Sequence, residues 1–136
     1  LRERGGEYGT TTGRPRRMGW LDLEALSFSC RINNVSEIVI TKLDILSGLL
    51  DIKVCTEYRI GGKKVKYAEC GYRELARVKP VYISFPGWIE DISGIRTFSK
   101  LPKECKNYLR YIEKFLGVKI KYASVGAERN ANIKMH

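Results

Sequence analysis

Twice along this sequence a helical apolar period is followed by a short β-branched run, and each run stops at a polar tip. In the first instance Asp22 reads as an N-cap, and Leu21, Ala25, Phe28 and Ile32 recur at the spacing of one helical face. The spacing predicts a helix from about Leu23 to Asn33, ended by the Asn33-Asn34 pair. Ser36 to Ile40 then reads as a buried strand that stops at Thr41-Lys42-Leu43-Asp44. In the second, Pro102 fits the first helical position, and Cys105, Tyr108, Leu109, Ile112, Phe115 and Leu116 keep the 3.6 period until Gly117 closes it. A strand from Val118 to Ala123 follows, ending at Ser124-Val125-Gly126-Ala127-Glu128-Arg129. Such an order prescribes an α/β layer. Ligands of these sheets sit beyond the carboxyl ends of strands.

The middle of the chain supplies a different kind of strand. Ile52, Val54, Thr56, Tyr58 and Ile60 alternate with more polar neighbours, Gly61-Gly62 marks a tight turn, and Val65 and Tyr67 return. This predicts a β-hairpin with one face buried. Leu46 to Leu50 reads as a turn or short helix, Gly71 to Val78 as a short helix, and Pro80 to Phe85 as a further strand stopped by Pro86-Gly87-Trp88. Ile89 to Ser99 has no period and reads as a loop. Trp88 could stack on a base, but an aromatic at a strand end is more often a packing residue.

A chain of 136 residues with 43% hydrophobic content suffices for one domain with a core. The net charge of +10 points to anionic partners: nucleic acid, a membrane surface or small phosphorylated substrates. Charge alone does not choose among them. No apolar run reaches the roughly 18 residues of a membrane span and no signal peptide is recognisable, so the expected setting is soluble and cytoplasmic. Cys30, Cys55, Cys70 and Cys105 form no Cys-x-x-Cys pair, and the one histidine is His136. That pattern disfavours zinc and reads as reduced, buried thiols. The chain starts at Leu1 without a methionine, beside its densest cluster of special residues; the expectation is the C-terminal part of a longer protein.

That cluster is Gly5-Gly6-Glu7-Tyr8-Gly9-Thr10-Thr11-Thr12-Gly13-Arg14-Pro15-Arg16-Arg17, with four glycines, three consecutive hydroxyls and three arginines and no hydrophobic face. Glycines bring backbone N–H groups close to a ligand, and hydroxyls and guanidinium forks donate to carboxylate and phosphate oxygens. The plainer alternative is a flexible basic segment. Thr41-Lys42-Leu43-Asp44 has a more specific reading. A carboxylate in the base plane accepts from N1–H and the N2 amine of guanine while a lysine stem covers the ring, whereas adenine offers an acceptor at N1 and is repelled. Its plain alternative is a solvated helix start after a strand. Ser124-Val125-Gly126 could serve the same ligand only if the two strand ends converge.

Together, the segment from Leu1 to Arg17, Gly19-Trp20-Leu21-Asp22, Thr41-Lys42-Leu43-Asp44 and Pro86-Gly87-Trp88 closely resemble the C-terminal part of the adenylosuccinate synthetase family, over essentially the whole chain. The resemblance implies the C-terminal part of a P-loop-NTPase-like sheet protein, with mixed strands, flanking helices and one β-hairpin. Residues 1–19 would be a substrate loop and residues 20–136 the α/β portion with a guanine pocket. It implies a GTP-dependent ligase of purine biosynthesis: IMP is phosphorylated on its 6-oxygen by GTP, and the amine of L-aspartate displaces phosphate to give adenylosuccinate. By the same resemblance Thr10, Thr11, Thr12, Gly13, Arg14, Pro15 and Arg16 would close over aspartate, Arg14 near both the aspartate carboxylates and IMP. Arg16 would also reach GTP. Lys42, Leu43 and Asp44, completed by Ser124, Val125 and Gly126, would hold the guanine.

The family's second tip usually has Gly-Pro, an acidic residue and Arg, where this chain has Gly126-Ala127-Glu128-Arg129, and Asn130-Ala131-Asn132 replaces a more typical ending. The resemblance also implies that the phosphate loop, the catalytic Asp and His and the Mg2+ ligands lie in an N-terminal portion outside this chain, so that the chain alone is inactive. It implies a homodimer for the full-length protein. The competing expectation is a basic nucleic-acid-binding module that places the arginine loop on phosphates and stacks bases on Tyr and Trp.

Overall fold

The computed structural model describes all 136 residues, Leu1–His136. Its elements follow the order α1 (Arg2–Gly5), β1 (Leu21–Asp22), α2 (Leu23–Ile32), β2 (Glu37–Ile40), β3 (Asp51–Ile60), β4 (Lys63–Val65), α3 (Tyr72–Leu75), β5 (Lys79–Pro86), α4 (Lys103–Leu116), β6 (Lys119–Ser124) and β7 (Asn132–Lys134). This is the mixed α/β arrangement expected, with helices packed on two sheets.

The first sheet is built on β3. Its one edge pairs antiparallel with β5 from Asp51↔Pro86 to Arg59↔Lys79, and its other carries β1 in parallel and β4 antiparallel. The β3–β4 hairpin turns on Gly61 and Gly62 at φ 57° and 81°. Two consecutive left-handed residues give a turn whose twist matches the strands it joins, and glycine reaches that region without steric cost. Gly87 serves a different need: a Cβ there would stand 1.9 Å from the Leu49 carbonyl oxygen, so Pro86-Gly87-Trp88 passes against backbone that no side chain would admit.

The second sheet has the order β2-β6-β7. β6 lies parallel to β2 and antiparallel to β7, and the β2–β6 register runs Glu37↔Lys119, Ile38↔Ile120, Val39↔Tyr122 and Ile40↔Ala123. A parallel pair requires a long crossover, and here residues 41–118 supply it. One hydrophobic cluster joins the sheets through α4, whose Cys105, Tyr108, Leu109 and Ile112 are buried together with Trp88, Ile120, Ala123 and Ile133. Full burial of each such aliphatic side chain contributes about 1.5–3 kcal/mol. Gly117 ends α4 at φ 66°.

Several expectations are corrected. Leu21 belongs to β1 and not to the helix, so the face counted from it is displaced: α2 buries Leu23 and Cys30, while Ile32 is 64% exposed. The Asp22 cap itself is present, its Oδ1 accepting from the Ala25 N–H at 3.1 Å. The β2 strand was expected to be buried but lies at a sheet edge with Val39 52% exposed. β-branched composition signals a strand without saying how many of its faces are covered. Pro102 precedes the first turn of α4, accepting from Lys106 N–H through its carbonyl. Cys30, Cys55 and Cys105 are buried free thiols, but Cys70 is only partly covered. Burial raises the Cys55 thiol to about 11 and the Cys105 thiol to about 12, which keeps both protonated and inert at neutral pH. Trp88 is 1% exposed and its indole N–H donates to Ser47 Oγ at 3.2 Å, so it packs and offers no stacking face. No helix is long and apolar enough to cross a membrane.

Candidate functional site

The carboxyl ends of β2 and β6 are brought side by side by their parallel pairing. Beyond Ile40 the chain turns at Lys42, a non-glycine residue at φ 57°, and this left-handed step reverses the backbone so that Leu43 enters the core at 1% exposure. Such a conformation disfavours a residue with a Cβ and persists only where surrounding contacts enforce it. Here the enforcing contact is the Leu43 N–H donating to the Ser124 carbonyl at 2.9 Å, which ties one strand tip to the other. The second tip is folded by Val125 N–H donating to the Ala131 carbonyl at 2.9 Å and by Ser124 Oγ donating to the Gly126 carbonyl at 2.9 Å. Asn130-Ala131-Asn132 is therefore structural, with Ala131 buried beneath the tip.

Between the tips lies a cleft of about 290 Å³ lined by Lys42, Asp44, Ser124, Gly126 and, in addition, Arg4, Gly5, Thr41, Ile45 and Ala127. Asp44 heads a single 3₁₀ turn over Asp44–Leu46, and its Oδ1 is buried without a hydrogen-bond partner. A buried carboxylate oxygen left bare costs free energy that a donor on a ligand would recover. A larger cavity of about 370 Å³ shares Thr41, Lys42 and Ile45 with this cleft, but its walls are mostly apolar, including Met18, Trp20, Leu26 and Val39. A polar cavity of about 330 Å³, lined by Arg4, Asp44, Ser47, Gly48, Ile89 and Asp91, shares Arg4 and Asp44 with the smaller cleft.

The glycine, threonine and arginine segment is folded as a hairpin and not as a free tail. Tyr8 and Pro15 form an antiparallel bridge, Gly9 N–H donates to the Arg14 carbonyl at 2.8 Å, and Arg16 N–H donates to the Glu7 carbonyl at 3.0 Å. The tip from Thr10 to Gly13 closes through Gly13 N–H to the Gly9 carbonyl at 2.8 Å, with Gly13 at φ 64°. The Arg2 guanidinium holds the base of the hairpin by donating to the Arg16 carbonyl at 3.0 Å and 3.2 Å. Thr10, Thr11, Thr12, Arg14 and Pro15 are exposed at its outer end.

A carboxylate joins the hairpin to the cleft. Glu7 Oε2 accepts from Arg16 Nη1 at 3.1 Å, and Glu7 Oε1 accepts from Lys42 Nζ, which also donates to the Gly5 carbonyl at 2.5 Å. The Lys42 ammonium first, and the Arg16 guanidinium second, hold the Glu7 carboxyl below its ordinary range.

The geometry thus brings together Lys42, Asp44, Ser124 and Gly126 around one cleft, with Leu43 and Val125 as the buried residues that fix the two tips. Arg16 reaches the cleft's edge through Glu7. Thr10 to Pro15 do not line that cleft, and Arg14 stands apart from it. Sequence reasoning missed Arg4, which enters the cleft wall from α1 and donates to the carbonyls of Ile45 and Ser47. It also missed Glu7, although an acidic residue set among arginines and glycines was a visible signal.

The chain matches the family model described as adenylosuccinate synthetase over residues 1–133. The adenylosuccinate synthetase of Salinibacter ruber is 50% identical over 130 residues, and that of Myxococcus xanthus 47% over 133 residues, covering 96% and 98% of this chain and 30% of each relative. A solved structure described as fully ligated adenylosuccinate synthetase from Plasmodium falciparum superposes with a TM-score of 0.93 at 41% identity, over 99% of this chain and 33% of that one. The chain therefore spans about 30% of the length of the curated relatives it matches.

Proposed function

The chain belongs to the adenylosuccinate synthetase family, and on that premise we propose that it is the C-terminal, guanine-reading and aspartate-closing segment of a GTP-dependent ligase of purine biosynthesis. In the complete reaction GTP transfers its γ-phosphoryl group to the 6-oxygen of IMP, releasing GDP. The amine of L-aspartate then attacks C6, the C6–O bond breaks and inorganic phosphate leaves, giving adenylosuccinate.

The observation that carries this reading is Asp44, which lines the cleft between the joined strand tips and has a buried Oδ1 without a hydrogen-bond partner. In this role Asp44 accepts from N1–H and the N2 amine of guanine, and the Lys42 stem covers the ring. Leu43 and Ser124 fix the tips through their shared hydrogen bond. Gly126 lines the far wall, where an added Cβ would come within 3.2 Å of Ala131, and the buried Val125 holds that tip to the core. Since Ala131 underlies this tip, replacement of the family's usual proline by Ala127 leaves the backbone of Ser124 to Gly126 supported from below.

Arg14, with Thr10, Thr11, Thr12, Gly13 and Pro15, provides donors for the carboxylates of aspartate, and Arg14 also approaches IMP. Arg16 serves the guanine nucleotide. Planar guanidinium forks suit such oxygens because they bind in two parallel hydrogen bonds. For Thr10 to Pro15 to reach a ligand held near the cleft the hairpin must move, and a two-stranded hairpin tethered by polar contacts is suited to that.

Magnesium is implied by the family, but the chain gathers no three His, Cys, Asp or Glu side chains within reach of one ion. No step is derived through the ion here. The phosphate cradle, the catalytic acid and base and the metal ligands are assigned to the remaining part of the family's length. Phosphoryl transfer needs such groups to neutralise developing charge, so the chain by itself is expected to be inactive.

The test is substrate dependence in the polypeptide of full family length. GTP consumption is expected only when IMP and L-aspartate are both present; hydrolysis indifferent to aspartate overturns the proposal.

A further inference from the structure

Resting on that reading, we propose that Glu7 is a positioning residue that couples occupation of the guanine cleft to closure of the arginine hairpin, by holding Arg16 and Lys42 on the two oxygens of one carboxylate. The two cations come from distant parts of the sequence and belong to different substrate elements. Lys42 stands on the strand tip beside Asp44, and Arg16 stands at the base of the hairpin that carries Arg14.

Three observations distinguish this link from an ordinary surface ion pair. The Glu7 side chain is 16% exposed, so both pairs are shielded at the carboxylate end while each cation remains accessible to a ligand. Glu7 is also bound through its backbone: its N–H donates to the Arg2 carbonyl at 3.0 Å, and its carbonyl accepts from Arg16 N–H at 3.0 Å. A shift of the Glu7 carboxylate is therefore passed to the strand pairing that sets the hairpin's direction. Finally, Lys42 occupies a left-handed backbone conformation, and its ammonium is held by the Gly5 carbonyl and Glu7. Its stem is therefore aimed along the hairpin's base.

The physical consequence is reciprocal. A guanine seated against Asp44 fixes the Lys42 stem, Lys42 fixes Glu7, and Glu7 fixes Arg16 and the register of the hairpin. Aspartate gathered by the hairpin in turn favours the arrangement in which Lys42 is already placed for the base. Linkage requires the two effects to be equal in free energy.

The experiment uses the full-length ligase loaded with IMP and titrates L-aspartate calorimetrically with and without saturating GDP. In the unmodified protein GDP is expected to tighten aspartate binding about fivefold or more, the lower range of allosteric coupling. In Glu7→Gln, which keeps the shape and removes the charge, the expected enhancement is under about twofold. Glu3→Gln, altering the neighbouring acid that pairs with the Tyr8 hydroxyl, is expected to keep full coupling. A merely structural Glu7 would lower thermal stability and weaken both ligands together without removing the effect of one on the other. Unchanged coupling in Glu7→Gln, or no coupling in the unmodified protein, overturns this inference while leaving the ligase reading intact. Failure of the unmodified protein to ligate aspartate to IMP overturns both.

Discussion

The strand-tip cleft and the arginine hairpin are both polar, glycine-bearing and charged, yet they are held in place by different forces. The tips continue β2 and β6, and directly beneath them Leu43, Ala123 and Val125 are all buried in the common core. The hairpin buries none of its residues from Gly5 to Arg17; backbone hydrogen bonds and the ion pairs of Glu7 position it. A site built on a core inherits the stiffness of the core, whereas one built on surface polar contacts can open locally at small cost. That division suits a rigid reader of the base and a mobile collector of a small substrate.

The division predicts unequal responses to mutation. Ile120→Ala, near the start of β6 in the core that carries the strand tips, removes a fully buried side chain and is expected to destabilise the fold by about 3–4 kcal/mol in chemical denaturation. Thr11→Ala at the exposed hairpin tip is expected to change stability by less than about 0.5 kcal/mol. Comparable losses would mean that the hairpin is part of the cooperative core. Next in size is Asp44→Asn, which keeps the shape of the cleft but, in the role proposed for Asp44, replaces one acceptor by a donor facing the guanine N1–H and N2 amine. KM for GTP in the full-length enzyme is expected to rise about 100-fold, or roughly 2.7 kcal/mol, with discrimination against ATP reduced. Smaller again is Arg14→Lys, which keeps the charge and loses the fork; kcat/KM for aspartate is expected to fall about tenfold with the Kd for GDP, measured in the absence of aspartate, unchanged. A change in guanine affinity there would break the separation of the two regions.

The same contrast explains what the sequence made legible. Periods of 3.6 and 2 placed α2, α4 and β3 because burial of an apolar face writes itself into spacing, and runs bounded by Pro and Gly placed β5 and β6. Composition marked both strand tips and the hairpin as polar. Four things left no comparable mark. β1 is two residues long and β7 three, too short for any period, and α1 is one turn of mostly charged residues. The convergence of the tips depends on the parallel pairing of strands separated by a long crossover, which no local pattern encodes. Glu7 was passed over because its importance lies in a contact with Lys42, thirty-five positions away. Arg4 was hidden for a similar reason: it meets Ile45 and Ser47 only after the chain has folded back.

The smallest expected effect is also the sharpest test of how the hairpin is held. Glu7 titrates below the ordinary carboxylate value of 4.5, because Lys42 and Arg16 favour its charged form. For a group depressed on folding, the stabilising contribution is fully present above the unfolded value and is lost as pH falls through the folded one. At neutral pH the Lys42–Glu7–Arg16 link is intact, and it fails only in acid. Glu57 is depressed in the same direction by Lys64 and Arg59, and Asp91 by hydrogen bonds from Ser93, so bulk acid unfolding mixes three losses. Site-resolved NMR separates them: the Glu7 carboxyl shift and exchange at the Arg16 amide should move together below pH 4.5 while the Val125 amide at the strand tip stays protected. Were Val125 to open in the same step as Arg16, cleft and hairpin would be one mechanical unit, and the contrast between a stiff base reader and a loosely tethered lid would have to be given up.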